Sequence, residues 1–230
     1  MNKKNIDEFL KVSMLGRTYK KDFEYDELCD SEKIILLLNI SLFGKEYRRD
    51  LEDDEKISFA INRAYLDFCR TIRMDKEERK KARDKGVEEI TTNIKNIDNS
   101  LKPYKTWFID LCNTLTNNAI GYTFGQAQKW VNMTMKYLIV LNYEPIKPYI
   151  KEFHAPIDKV IIEDAFNRGY GNYNDNKWKK ADYDSWSSNT MTEEKYNDLQ
   201  DWIQQQANAQ GKSPIEWEFQ AWNNSTIEDK

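Results

Sequence analysis

The stretch from residue 125 to residue 141 places two lysines on one face of a strongly apolar sequence. Lys129, Asn132 and Lys136 recur at intervals of three, four and seven residues, so on a helix they share a face with Gly125 and Gln128. The rest of the circumference is apolar: Trp130, Val131, Met133, Met135, Tyr137, Leu138, Ile139, Val140 and Leu141. A helix that is hydrophobic almost all round belongs in the middle of a domain. Because lysine is almost never fully buried unless it is paired or needed, these two lysines require an explanation.

A buried lysine can act as a nucleophile. Burial in a low-dielectric site lowers the pKa of a lysine from its reference value of about 10.4, and the neutral amine can form Schiff bases. Such chemistry needs a nearby carboxylate that moves protons or stabilises developing positive charge. Asp158 fits by type, since it lies in the first turn of a helix that Pro156 is predicted to open, where the helix dipole keeps a carboxylate ionised.

Other chemistries are excluded by residue types. The chain has one histidine, His154, and three widely spaced cysteines, Cys29, Cys69 and Cys112, so metal sites, zinc catalysis and histidine-based triads are poor candidates. No P-loop and no GxGxxG sequence occurs, and we expect neither a metal nor a cofactor. His154 precedes Ala155-Pro156, where a surface or helix-entry position is typical, and it is retained only as a candidate substrate-binding residue.

Composition predicts one helical domain in a reducing compartment. The 230 residues are 40% hydrophobic and 13% aromatic with few glycines and prolines, which indicates a large core and mostly helix. The lack of a CxxC pair, of a stretch of transmembrane length and of a signal-peptide core predicts a cytoplasmic protein with no membrane partner. The net charge is −4, but basic residues cluster at 70–85 and at 147–180. For either cluster a solvated helix face is a simpler interpretation than a surface that binds the phosphates of a nucleic acid.

The hydrophobic pattern divides the chain into helices. We predict an all-α fold, a single domain over residues 1–230 with its core at about 31–223. In the first half of the chain we predict a short helix at 7–15, an apolar run at 34–43, a helix capped by Asp53 or Asp54 that runs to about Ile72, and a charged helix from Asp75 to about Ile97. Pro103 is predicted to open the next helix, which precedes the core helix. Three more helices follow, which begin at Pro156, at Thr192 and at the capping box Ser213–Glu216. Pro145 and Pro148 predict an irregular, extended link, and residues 170–189 predict a loop.

Part of this pattern resembles a known family. Gln128-Lys129 opening an apolar helix, Lys136 seven residues on, a proline-interrupted link and Pro156-Ile157-Asp158 resemble the archaeal 8-oxoguanine DNA glycosylases of the helix-hairpin-helix superfamily. The resemblance covers about residues 125–165. It implies the helix-hairpin-helix glycosylase fold, with two lobes and a cleft between them, and DNA as the partner.

The resemblance also implies a mechanism and a set of site residues. Lys129 matches the family nucleophile and Asp158 its catalytic partner, and the enzyme flips a damaged base out of the duplex, excises it and cleaves the strand through a lysine Schiff base. The substrate-binding candidates are Gln128, Asn132, Met133, Lys136 and His154. The chain departs from the family in two respects. Met133 stands where the family has an aromatic residue that stacks on the flipped base, and the link to the aspartate is shorter.

Alternative interpretations stay open at this point. Lys129 could reach solvent or pair with an acidic neighbour, and Asp158 could be an ordinary carboxylate at a helix N-terminus. The acidic pI of about 5.3, Met133 and the aromatic loop from Tyr170 to Trp186 fit a non-enzymatic protein-interaction or regulatory role on a degenerate scaffold. A third possibility is a toxin or phage-defence effector that excises a modified base. Trp202, Trp217 and Trp222 have helical spacing that predicts core packing rather than base stacking.

Overall fold

A computed structural model describes residues 51–97, 102–175, 178–183, 185–219 and 221. Within these ranges the chain is all-α and contains no strand. We number the helices α1 (Asp53–Phe68), α2 (Lys76–Lys95), α3 (Tyr104–Thr116), α4 (Phe124–Val140), α5 (Lys159–Asn167), α6 (Glu193–Ala209) and α7 (214–219). The helices predicted at 7–15 and 34–43 lie outside the described residues.

Helix α4 runs through the centre of the core. Thr123 caps its N-terminus by accepting the Gln126 backbone N–H, and the Gln126 side chain returns the bond to the Thr123 N–H. All residues from 125 to 140 are buried, those on the polar face included. The indole N–H of Trp130 donates to the Ile61 carbonyl at 3.0 Å, which ties α4 to α1. The prediction of a core helix here is confirmed.

The first three helices pack around α4, and their starts follow the predicted capping signals with one shift. Helix α1 is capped by Glu52 rather than by Asp53 or Asp54, because Glu52 and Glu55 form a reciprocal capping box that leaves both aspartates in the first turn. Helix α1 also ends earlier than predicted, at Phe68, and a 3₁₀ turn, Cys69–Thr71, follows it. Asp75 caps α2 as predicted, and α3 begins directly after Pro103.

The connection between α4 and α5 differs from the prediction in two respects. Residues Glu144–Glu152 form a 3₁₀ helix with Pro145 in its first turn, where the missing N–H of proline is harmless. Helix α5 begins at Lys159, so that Pro156 and Ile157 precede it and Asp158 is its N-cap. The expectation that Pro156 opens the helix is wrong because residues 153–157 are non-helical and the backbone of Ile157 is bonded to a side chain of α4.

The C-terminal part packs against the same core. The region predicted as a loop contains two 3₁₀ helices, Tyr170–Asp175 and Lys180–Tyr183, and Thr192 caps α6 as predicted. Trp202 and Trp217 are buried with their rings edge to face, which confirms core packing for these two; Trp222 lies outside the described residues. Across the described ranges, no helix is both long and apolar enough to cross a membrane. The two-lobed arrangement stays a prediction.

Candidate active site

The side chain of Lys129 on α4 is in contact with that of Asp158 at the N-terminus of α5. Nζ of Lys129 lies 2.6 Å from Oδ2 of Asp158, although 29 residues separate them in the sequence. The Lys129 side chain is 7% exposed and that of Asp158 is 18% exposed. The pair is therefore nearly desolvated, and solvent reaches it mainly at the carboxylate.

Asp158 divides its two oxygens between two partners. Oδ1 accepts the backbone N–H of Ile161 at 3.1 Å, as an N-cap residue does, while Oδ2 accepts the ammonium of Lys129. The helix N-terminus and the lysine thus hold the carboxylate from two sides. The arrangement places a negative charge and an amine at a fixed separation within one buried site.

The electrostatics of the pair overturn one expectation from the sequence. Burial lowers the pKa of Lys129, but the Asp158 carboxylate, with Glu218 and Asp67 further off, more than offsets it, so the pKa of Lys129 is raised above its ordinary value. Burial raises the pKa of Asp158, but the Lys129 ammonium and the Ile161 N–H outweigh it and hold that pKa below its ordinary value. The resting pair is an ammonium and a carboxylate. The expectation of a neutral amine was wrong because an acidic partner is already in contact.

Gln128 forms hydrogen bonds with the backbone of Ile157, the residue before Asp158. Its Oε1 accepts the Ile157 N–H at 3.1 Å, and its Nε2 donates to the Ile157 carbonyl at 2.7 Å. The same amide also donates to Gly125 O and accepts from Asn132, so both of its donors and both acceptor positions are used. Gln128 is fully buried and contacts protein on every side, so in this structure it orders the site rather than facing a ligand.

Asn132 and His154 belong to a polar cluster beside the pair. The Tyr196 hydroxyl accepts from Asn132 Nδ2 at 2.9 Å and lies 2.9 Å from His154 Nδ1. Burial lowers the pKa of His154 to about 3, so the imidazole is neutral at pH 7, and its Nδ1 shares a hydrogen bond with the Tyr196 hydroxyl. The expectation of a surface or helix-entry histidine was wrong, since the ring lies among Tyr104, Phe108 and Tyr196.

Lys136 and Met133 are as enclosed as the rest of α4. Lys136 Nζ lies 2.6 Å from Glu218 Oε2, and both side chains are 1% exposed. Burial lowers the pKa of Lys136, and Glu218 opposes that shift. Met133 is also buried. Substrate contact by either residue stays a prediction and would require the site to open.

Three side chains of this region were missed in the sequence. Gln200 and Tyr196 lie on the apolar face of α6, beside Leu199 and Ile203, and Glu218 stands between Trp217 and Phe219. A polar residue on an otherwise buried face was the available signal, since buried polar groups are retained when they have partners. Which partners they would have could not be inferred without the fold.

The basic clusters are largely exposed and partly engaged within the chain. On α2, Arg83 donates to Asn62 and Lys85 donates to the Ala119 carbonyl, while Lys76, Lys80 and Lys81 are exposed. In the second cluster Lys147 pairs with Glu144 and Lys159 with Glu163. DNA binding by these surfaces stays a prediction.

Neither a metal site nor a relative informs the function. The described part of the chain holds no group of three or more His, Cys, Asp or Glu side chains able to bind a metal ion. The chain matches no family model, and no curated protein and no solved structure matches it significantly. The glycosylase resemblance therefore depends on the motif residues alone.

Proposed function

We propose that this protein is a lysine-dependent DNA glycosylase with lyase activity, which excises a damaged or modified base through a Schiff base on Lys129. The observation that supports this proposal is the contact between the Lys129 amine and the Asp158 carboxylate in a nearly dry site. A nucleophile and a charge-stabilising group within 2.6 Å are the two parts that such a reaction needs.

The charge state of the pair suggests an order of events. The C1′–N bond of a flipped nucleotide breaks first, its electron pair leaves with the base, and the Asp158 carboxylate stabilises the positive sugar. The Lys129 ammonium gives its proton to the departing base, which frees the amine. The nitrogen lone pair then bonds to C1′. The raised pKa keeps Lys129 protonated in the resting site, so the proton that the base receives is present before the amine becomes a nucleophile.

Strand cleavage follows from the same two groups. After attack, Asp158 takes a proton from the new secondary ammonium, the C1′–O4′ bond opens with its electron pair going to O4′, and Asp158 returns the proton there. The product is the Schiff base between Lys129 and C1′. Asp158, which is a carboxylate again, then takes a proton from C2′, a C2′–C3′ double bond forms, and the 3′ phosphate leaves with the C3′–O electron pair, which cuts the strand.

Borohydride trapping tests this function. The protein is incubated with duplex and single-stranded DNA bearing 8-oxoguanine or an abasic site, and borohydride reduces any Schiff base to a stable adduct. We expect a covalent adduct for the wild-type protein and none for Lys129→Gln. Lys159→Gln is the matched control, because Lys159 is next to Asp158 but highly exposed and should leave the adduct intact.

The outcomes separate the alternatives. An adduct that survives Lys129→Gln and disappears in Lys159→Gln would reject Lys129 as the nucleophile. No adduct with any of these DNAs would favour the non-enzymatic alternative. Repair and defence roles share this chemistry, and comparison of normal, oxidised and otherwise modified bases as substrates distinguishes them.

The structure weakens one argument for a protein-interaction role. Tyr170 and Tyr183, from the aromatic loop, are buried, and their hydroxyl groups lie 2.7 Å apart. Tyr170 also donates to Asp198 at 2.6 Å. These two rings stabilise the C-terminal part of the fold rather than forming an exposed docking surface.

A further inference from the structure

Residues 153–157, which lead into Asp158, are buried and non-helical and belong to no sheet. Buried backbone N–H and C=O groups need partners, and a chain segment of this kind usually finds them in a neighbouring strand. Here two glutamine side chains supply them for alternate residues. Gln128 of α4 bonds the backbone of Ile157, and Gln200 of α6 bonds the backbone of Ala155.

Each glutamine amide bonds both the N–H and the carbonyl of one backbone residue, as a residue of an antiparallel strand does. Gln200 Oε1 accepts the Ala155 N–H at 3.1 Å, and its Nε2 donates to the Ala155 carbonyl at 2.6 Å. Two residues that exchange both backbone bonds form the hydrogen-bonded pair of an antiparallel ladder, and a primary amide presents the same donor and acceptor side by side. The orientation of each amide is fixed, because only an oxygen can accept from the backbone N–H.

Asn132 links Gln128 to the Ala155 carbonyl, which Gln200 also bonds. Its Nδ2 lies 3.2 Å from Gln128 Oε1, 3.4 Å from the Ala155 carbonyl and 2.9 Å from the Tyr196 hydroxyl. Gln128 and Asn132 are one turn apart on α4, and Tyr196 and Gln200 are one turn apart on α6. The segment is thereby clamped between two helices that are far apart in the sequence.

We propose that Gln200, acting with Gln128 through the backbone of residues 155–157, is a positioning residue that holds the Asp158 carboxylate against Lys129. This inference rests on the proposed function for its catalytic meaning. Asp158 follows Ile157 directly, so a shift of this segment moves the carboxylate relative to an amine that is anchored on α4. Gln200 contacts neither Lys129 nor Asp158 and acts only through the backbone.

The test compares Gln200→Met with Gln204→Met. Methionine has similar length but cannot bond Ala155, whereas Gln204 lies one turn further along α6, is partly buried and donates to the side chain of Asn208. The first measurement is a ¹³C NMR titration of the lysine Cε signals, with Lys129 assigned through Lys129→Arg. We expect the pKa of Lys129 to fall in Gln200→Met, since the stabilising carboxylate is displaced while burial remains, and to be unchanged in Gln204→Met.

The second measurement is the kinetics of base excision and borohydride trapping. Gln200→Met should lower kcat by about 10–100-fold with little change in KM, as expected for a misplaced catalytic group. If Gln200→Met does not fold, Gln200→Asn replaces it, because asparagine adds no charge and its amide is one methylene too short to keep both bonds to Ala155. An unchanged Lys129 pKa in the folded Gln200 variant would overturn the positioning role.

The two proposals fail in distinguishable ways. If the wild-type protein forms no adduct with DNA, the proposed function fails, while the NMR titration still decides whether Gln200 positions Asp158. If the adduct forms and kcat is the same in Gln200→Met and wild type, the positioning role fails and the proposed function stands.

Discussion

Lys136 Nζ lies 2.6 Å from Glu218 Oε2 and 4.2 Å from the centre of the Phe219 ring. The contact ties α7 to α4 two turns beyond Lys129, so the two lysines of the polar face are each neutralised by an acidic residue from a different part of the chain. The two pairs influence each other, because Glu218 contributes to the raised pKa of Lys129 and Lys136 to the lowered pKa of Asp158. The buried charges of α4 therefore form one network.

Lys136→Met should destabilise the fold strongly. Removal of the lysine leaves Glu218 buried without its cation, for which we expect a loss of about 3–5 kcal/mol in the free energy of unfolding. The double variant Lys136→Met/Glu218→Leu removes both charges and should recover most of that loss. Urea denaturation of the two single variants and the double variant measures this. A double variant as unstable as the sum of the single variants would show that the two side chains do not act as a pair.

Asp158→Asn should separate the capping role of this residue from its charge. Asparagine caps a helix as well as aspartate does, so α5 should remain folded. Without the carboxylate the pKa of Lys129 should fall, and base excision should slow by about 10²-fold or more, since the positive sugar is no longer stabilised.

Trapping on a pre-formed abasic site provides the contrast for Asp158→Asn. No glycosidic bond has to break there, so the adduct should form at a rate closer to that of the wild-type protein. Glu163→Gln, which changes a carboxylate on the same helix, is the control and should behave like wild type. Equal losses on both DNAs would contradict the role of Asp158 in stabilising the positive sugar and would leave it only the proton transfers of Schiff-base formation.

The helices could be predicted because their signals are local. Apolar spacing and capping residues identified α2 to α4 and α6 to within a few residues, as Asp75, Pro103 and Thr192 illustrate. The start of α5 could not be predicted from the same signals. Pro156 is a favourable first residue for a helix, but the side chain of Gln128 bonds the Ile157 backbone and thereby holds it outside the helix.

The candidate site was only partly predictable for the same reason. Lys129 and Asp158 stood out by residue type and by the resemblance, and they do lie in contact. The charge state of Lys129 depends on that contact, and the partners of Lys136, Asn132 and His154 come from α6 and α7 across 42 to 82 residues of sequence. Spacing along one helix carries no information about such partners.

Gly125→Ala should destabilise the start of α4. A Cβ atom at residue 125 would lie 1.7 Å from the backbone carbonyl oxygen of Trp186, a contact that requires the loop to move. Alanine favours a helix over glycine by about 1 kcal/mol, but overpacking against backbone costs about 1–3 kcal/mol or more. The free energy of unfolding should therefore decrease. Thermal unfolding measures the effect. Gly171→Ala is the control, since its Cβ would meet Phe166 at 3.4 Å, an ordinary contact; equal stability of both variants would contradict the close approach.

His154 should make stability depend on pH in a mildly acidic range. Burial lowers its pKa from 6.5 to about 3 in the folded protein, whereas the unfolded chain binds the proton near pH 6.5. Between these values the unfolded state holds one proton more, so the free energy of unfolding rises with pH there. The contribution is complete above about pH 6.5 and is lost progressively as the pH falls toward 3.

The replacement His154→Asn isolates this contribution. Asparagine can still form a hydrogen bond with the Tyr196 hydroxyl but does not titrate, and the chain has no other histidine. Urea denaturation is measured at intervals from pH 7 to pH 4.5, a range that lies above the reference pKa values of the carboxyl groups. Over this range the wild-type protein should lose stability relative to the variant, with a slope that approaches about 1.4 kcal/mol per pH unit. Parallel curves for the two proteins would mean that His154 titrates normally and that its ring is not held in the buried cluster.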